Sequence, residues 1–193
     1  MLDGNIFMNT DKYFSELDSD DLVRSDPDED VDEAWQTKQI SIADENGNWV
    51  PIGGVINPVL YRYGARDHLN IFCIHAIRDT SDYYFDEKNL AFGDVAVVIR
   101  NAEEFTARFR NAARLLERNV HHGSVTYVNR SSYHGEIGLF RKFDSYEYQN
   151  EFRFALFGGD GKPMSLPIGD IRDISFVIPA SDIPKLHPKY KGQ

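Results

Sequence analysis

One stretch of this chain, Asn101 to Asn119, repeats with helical spacing, and the segments around it are short, apolar and punctuated. Phe105, Phe109, Ala112 and Leu116 recur every three to four residues, which gathers them into one buried stripe. Asn101 followed three positions later by Glu104 forms a capping pair that marks the helix start. The opposite face carries Arg108, Arg110, Arg114 and Arg118 and reads as solvated, with the further option of receiving the acidic arm near the start of the chain. Elsewhere the patterns are those of strands. Leu69 to Ile77 and Asp94 to Arg100 are continuous apolar runs suited to buried strands. Lys38 to Ile42 and Trp49 to Ile56 flank the turn Glu45-Asn46-Gly47-Asn48 and predict a hairpin. Further strands are predicted at Ser124 to Val128, Glu136 to Phe140, Glu151 to Phe157 and Ile174 to Ile178. Strands outnumber helices, so the expected class is α+β: a single domain with an antiparallel-rich mixed sheet and one main amphipathic helix at 101–119.

Charge divides the chain unevenly. Asp11 to Glu33 holds eleven acidic residues against Lys12 and Arg24, and the first 33 residues account for the whole formal charge of −10. The remaining 160 residues balance, with 19 acidic and 19 basic side chains. Residues 1–37 therefore read as an acidic, partly flexible segment and 38–193 as the α+β domain. Like charges repel, so a solvated arm is one reading of that segment. Capture of a basic partner is a second. A divalent-cation site at Asp26, Asp28, Asp30 and Asp32 is a third, although the central glycine and distal glutamate of a calcium loop are missing. No concentrated basic patch is present, so nucleic acid is not an expected partner. Cys73 is the single cysteine, which excludes an intrachain disulfide and a cysteine-rich zinc site and fits a reducing compartment. No apolar stretch approaches membrane-spanning length, and the expected setting is cytoplasmic.

Tyr146 to Leu156 concentrates chemistry. Period-2 alternation places Glu147, Gln149, Glu151 and Arg153 on one side of an extended strand. Such a row is either cross-strand salt-bridge material on a wet face or a site whose members are paired or used. Other candidates are weaker. His121-His122 points to opposite faces of a strand and cannot share one metal. His75 sits in an apolar run, as a core histidine does. Ser131-Ser132-Tyr133-His134 lacks a nucleophile elbow and an orienting acid. Gly158 to Gly161 is a turn and not a phosphate loop. No metal ligand set is assigned.

Two resemblances add to this reading. Gly4-Asn5-Ile6-Phe7-Met8-Asn9, the acidic run ending near Asp28-Glu29, Val125-Thr126-Tyr127, Phe140-Arg141-Lys142 and Tyr148 to Arg153, in that order, resemble a poorly characterised prokaryotic family found beside mobile elements and defence genes. The order Tyr61-Arg62, Ser131-Ser132 and Gln149-Asn150-Glu151 is similar to that of ADP-ribosyltransferases, which place an aromatic-Arg on an early strand, a hydroxyl-rich strand next, and a late Gln-x-Glu. The second likeness implies an NAD-directed transferase or glycohydrolase, with NAD as co-substrate and no tightly bound cofactor. Glu151 would stabilise the oxocarbenium-like state and Gln149 would orient the nucleophile. Arg62 would hold phosphates, Ser131 or Ser132 the ribose, and Tyr146 or Tyr148 would stack on the nicotinamide. A protein target or a nucleotide ligand follows as partner. The competing expectation is a non-enzymatic acidic binding or inhibitory protein that sequesters a protein or ligand.

Overall fold

Long antiparallel pairings set the frame, and the helix sits on one face of them. The computed structural model describes residues 1–16, 25–64, 66, 68–78 and 84–186. In chain order the elements are β1 (Asn5–Thr10), α1 (Asp11–Glu16), β2 (Glu33–Trp35), β3 (Ile40–Ala43), β4 (Trp49–Ile52), β5 (Val59–Tyr61) and β6 (Asn70–His75). They continue with β7 (Val95–Ile99), α2 (Ala102–Leu115), β8 (Val120–Ser124), β9 (Thr126–Val128), β10 (Gly135–Glu136) and β11 (Arg141–Phe143). The last strands are β12 (Glu151–Leu156), β13 (Met164–Pro167) and β14 (Ser175–Pro179). The central sheet runs β13-β1-β6-β12-β8 with every neighbouring pair antiparallel. Smaller sheets pair β10-β2-β5, β7-β14 and β3-β4, and β9 with β11 in parallel. The chain is a single α+β domain with an antiparallel-rich sheet.

The sequence pattern explains the helix and its limits. Phe105 and Phe109 are buried against Phe72 and Phe154, with the Phe109 and Phe154 rings stacked at 4.4 Å. The Asn101 side chain accepts the Glu104 backbone N–H at 3.0 Å. Glu104 does not return the contact; its carboxylate takes the Arg108 guanidinium at 2.7 Å instead. The helix stops at Leu115 rather than at 119, because Glu117 adopts a left-handed φ of 55° and Leu116 turns to solvent. Replacing Asn101 with alanine is expected to lower stability by about 1 kcal/mol in a denaturant titration, since the Glu104 N–H loses its acceptor. Arg108 also grips Asp173 and Arg118 reaches the Met164 sulfur, so these two bind their own domain, while Arg110 and Arg114 are exposed.

The predicted hairpin forms as β3 and β4 around Asp44 to Asn48, with Asp44 accepting from the Asn46 and Asn48 amides. Predicted strand 124–128 is broken at Val125, whose N–H turns to the Glu151 carbonyl at 2.9 Å. Predicted strand 136–140 shrinks to β10 followed by a 3₁₀ turn.

The acidic segment departs most from expectation. Residues 17–24, with Asp18, Asp20 and Asp21, lie outside the described residues. Residues 25–35 are not a solvated arm: Asp26, Glu29, Val31 and Ala34 are buried, and β2 hydrogen-bonds to β5 and β10. β1, also inside the first 37 residues, is a central strand of the main sheet. The segment thus covers the face of β6 and β12 opposite α2.

Candidate functional site

Register in the sheet creates the site. Glu151 lies opposite His75 and Arg153 opposite Cys73, and alternation turns these four toward the side away from α2. Phe72, Phe152 and Phe154 pack on the helix side. The polar row predicted along Tyr146 to Leu156 is extended only from Glu151 onward. Residues 144–149 form a 3₁₀ turn, ended by Asn150 in a left-handed conformation with φ 40°. Asn150 is anchored by its own amide to the Ala76 carbonyl at 2.5 Å, and it accepts the Ala76 N–H at 2.8 Å. This hinge-like kink brings Gln149 over the end of β6, where its carbonyl meets His75 Nδ1 at 2.7 Å.

A cleft of about 330 Å³ opens there. Phe14, Phe85, Phe92, Val95 and Ile183 form its apolar wall, while Glu29, Lys142, Gln149, Glu151 and Arg153 form a polar floor. A volume of this order with a few convergent polar groups suits a small-molecule site.

The floor is a closed set of charges. Arg153, 1% exposed, donates from Nε to Glu151 Oε1 at 2.6 Å and lies 2.5 Å from Glu29 Oε1 through its terminal nitrogen. That same nitrogen donates to the Leu139 carbonyl at 2.8 Å. Lys142 Nζ reaches Glu29 at 3.0 Å, Glu151 and Asp26 at 3.2 Å each, and the Gln149 side-chain oxygen at 3.1 Å. Unpaired charges at this depth would be prohibitive, so mutual pairing is the condition for their burial. Desolvation acts to raise the Glu151 carboxyl, but the Arg153 and Lys142 charges outweigh it and hold the group well below the usual carboxylate range. Burial acts to lower Lys142, yet the surrounding carboxylates of Glu29 and Glu151 keep it firmly protonated. Asp26, desolvated behind Lys142, is pushed up to about 6, and Asp11, buried beside Glu29, to about 7. Glu151 is also fixed through its backbone, whose N–H donates to the Tyr127 hydroxyl at 2.9 Å.

Of the residues singled out in the sequence, the structure brings Glu151 and Gln149 together in the cleft. It leaves the others apart. Arg62 is bound to Asp30 at 2.6 Å and to the Pro27 carbonyl at 2.9 Å, away from the cleft lining. The Ser131 and Ser132 hydroxyls donate to Asn129 at 2.6 and 3.1 Å in an exposed turn. Tyr146 packs its ring near Lys142 and bonds Ser25 through its hydroxyl, behind the floor. Tyr148 faces a different, more polar groove with Tyr127 and Lys88, and the Lys88 ammonium lies 5.1 Å from its ring centre. Glu147 lines that groove too, so it does not share a face with Glu151.

Asp26, Asp28, Asp30 and Asp32 do not form a cation site: they bind Lys142, Arg130, Arg62 and Arg66 respectively. Among the described residues, no group of three or more His, Cys, Asp or Glu side chains is placed to hold a metal ion. No described helix is long and apolar enough to cross a membrane. Sequence reasoning missed Lys142 as a partner of Glu151, and Glu29 and Asp26 as the acids that share it. One signal was available: a lysine set between Phe140 and Phe143 is an unusual neighbour for a solvated cation. Comparison of the chain with protein-family models, curated proteins and solved structures finds no match.

Proposed function

We propose that this chain acts on the glycosidic bond of NAD or a related nucleotide, as an ADP-ribosyltransferase-like enzyme or NAD glycohydrolase, at the cleft above Glu151. The supporting observation is the convergence of Glu151 and Gln149 on one apolar-walled cleft, with Arg153 and Lys142 holding Glu151 ionised. Breaking a bond between ribose C1′ and a pyridinium nitrogen builds positive charge on the sugar. A carboxylate fixed in advance, in an apolar-walled cleft, stabilises that charge where it appears. Gln149 offers an amide to orient the attacking group, and Phe85 and Phe92 offer rings against a flat heterocycle.

Phosphate binding differs from the pattern that the resemblance implies, since Arg62 is consumed by Asp30 and the Pro27 carbonyl. In this reading the cleft engages the ribosyl end of the substrate. The test is NAD consumption by the wild type and by Glu151→Gln, with folding of both followed by circular dichroism. Loss of a single electrostatic stabiliser is expected to slow turnover about 10²–10³-fold. Equal rates in two folded proteins remove Glu151 from the chemistry.

The non-enzymatic reading rests on a different observation. The β3-β4 hairpin exposes Ile42, Trp49, Val50 and Ile52, and Ile56 beyond it is 86% exposed. An apolar patch of that kind suits a protein contact. The acidic residues at 26–32 support it less, because they are engaged with cations of this chain.

A further inference from the structure

The floor of the cleft contains a second carboxylate that the Gln-x-Glu pattern does not include. Glu29 and Glu151 are held by the same two cations: Arg153 touches Glu29 at 2.5 Å and Glu151 at 2.6 Å, and Lys142 touches them at 3.0 and 3.2 Å. Both line the cleft, and they arrive from unrelated parts of the chain. A guanidinium and an ammonium placed between two acids offset the repulsion between them. Two carboxylates about one cleft suit hydrolysis of a glycosidic bond, one beside the developing sugar cation and one to receive a proton from water. Gln149 can orient water, but its amide cannot accept that proton.

We propose that Glu29 is the general base of the site, so that water is the acceptor and the reaction is hydrolysis of a pyridinium N-riboside rather than transfer to a protein. This rests on the glycosidic-bond reading above and specifies its acceptor. In the step, the C1′–N bond breaks and its electron pair leaves with the neutral pyridine. The oxygen of water bonds to C1′, and a water proton passes to the Glu29 carboxylate. Glu151 remains ionised throughout and faces the sugar. The segment that looks like an acidic tail therefore supplies a catalytic residue, and Arg153 and Lys142 are positioning residues acting through both acids.

NAD hydrolysis is followed by mass spectrometry of the sugar product for the wild type, Glu29→Gln, Glu29→Ala and Asp28→Asn. Asp28 belongs to the same segment and pairs with Arg130, but it does not line the cleft. Glu29→Gln retains Arg153-Glu151 and the three remaining contacts of Lys142, to Asp26, Glu151 and Gln149, so the fold is expected to survive. Loss of a general base is expected to slow hydrolysis about 10²–10⁴-fold, with Asp28→Asn near the wild-type rate. Azide needs no deprotonation, so adding it to Glu29→Ala is expected to restore pyridine release with an azido sugar as product. Should Glu29→Ala fail to fold, Glu29→Asp keeps the charge while withdrawing the carboxylate, and is expected to hydrolyse slowly yet still be trapped by azide. Wild-type hydrolysis by folded Glu29→Gln overturns the base assignment and leaves the glycosidic-bond reading standing, with His75 as the next base to test. Absence of azide trapping in the folded variants also overturns it. A wild type that releases no pyridine from NAD overturns both.

Discussion

Replacing Arg153 with methionine is expected to remove about 3–5 kcal/mol of stability. The guanidinium is 1% exposed, touches Glu29 and Glu151, and satisfies the Leu139 carbonyl. Methionine approximates its volume, so the loss is electrostatic rather than a cavity. Two carboxylates would then share Lys142 with Asp26, three acids against one ammonium in a desolvated floor. Each kcal/mol moves the melting temperature of a domain this size by roughly 2–4 °C, so a fall of about 10 °C is anticipated in a thermal scan. A second variant separates charge from packing. Combining Arg153→Met with Glu29→Gln and Glu151→Gln removes the unpaired charges and should recover most of the lost stability. A single variant that melts within 2 °C of the wild type would mean that the pairing contributes little.

That expectation also shows where the sequence is legible. α2 was readable because its evidence is local: a repeat of 3.6 residues and a cap three positions from its partner. The β3-β4 hairpin was readable for the same reason, since Asp44 to Asn48 make their own turn. β1 and β13 pair Asn5 with Pro167, across most of the chain, and no local pattern announces such a pairing. The 3₁₀ turn at 144–149 was hidden by alternation that imitates a strand until Asn150 breaks it.

The site was half legible. Glu151 and Gln149 stood out because they are close in sequence and share a motif. Glu29 did not, because a run of acids is locally indistinguishable from a solvated tail. Its partners lie far along the chain, at Lys142 and Arg153, and a charge sum over 33 residues cannot see them. The near balance of the whole remaining chain was misleading: it suggested a self-sufficient body, whereas Arg62, Arg66, Arg130, Lys142 and Arg153 all turn toward the acidic segment. Arg62 illustrates the converse error. An aromatic-Arg dipeptide matched a motif, but Asp30 and the Pro27 carbonyl already occupy its fork.

Asp11→Asn is expected to stabilise the protein at pH 8 by an amount on the order of 3 kcal/mol, and to flatten its pH dependence. Asp11 is buried, and its Oδ1 has no hydrogen-bond partner among the described residues, while Oδ2 meets Arg66 at 3.4 Å. Burial, with the nearby Glu29 charge, pushes the carboxyl from its ordinary 3.8 up to about 7. The folded state therefore binds this proton more tightly than the unfolded chain does. Its stabilising contribution is complete below about pH 4 and is lost as pH rises through 7. Asp26, raised to about 6, acts in the same direction over the lower part of that range. Glu151 acts oppositely: with its carboxyl held low, its contribution is present above the ordinary value of 4.5 and declines only in stronger acid. Stability should then fall from about pH 4 to about pH 7 in the wild type, with Asp26 and Asp11 acting together up to about pH 6 and Asp11 alone above it. Asparagine at position 11 cannot ionise, and Arg66 retains Asp32 at 2.7 Å and the Val31 carbonyl at 3.1 Å. Urea titrations of both proteins at pH 5, 6, 7 and 8 measure the slope directly. A variant that unfolds at lower urea than the wild type at pH 8, or that keeps the wild-type slope between pH 6 and pH 8, would place the buried charge elsewhere than on Asp11.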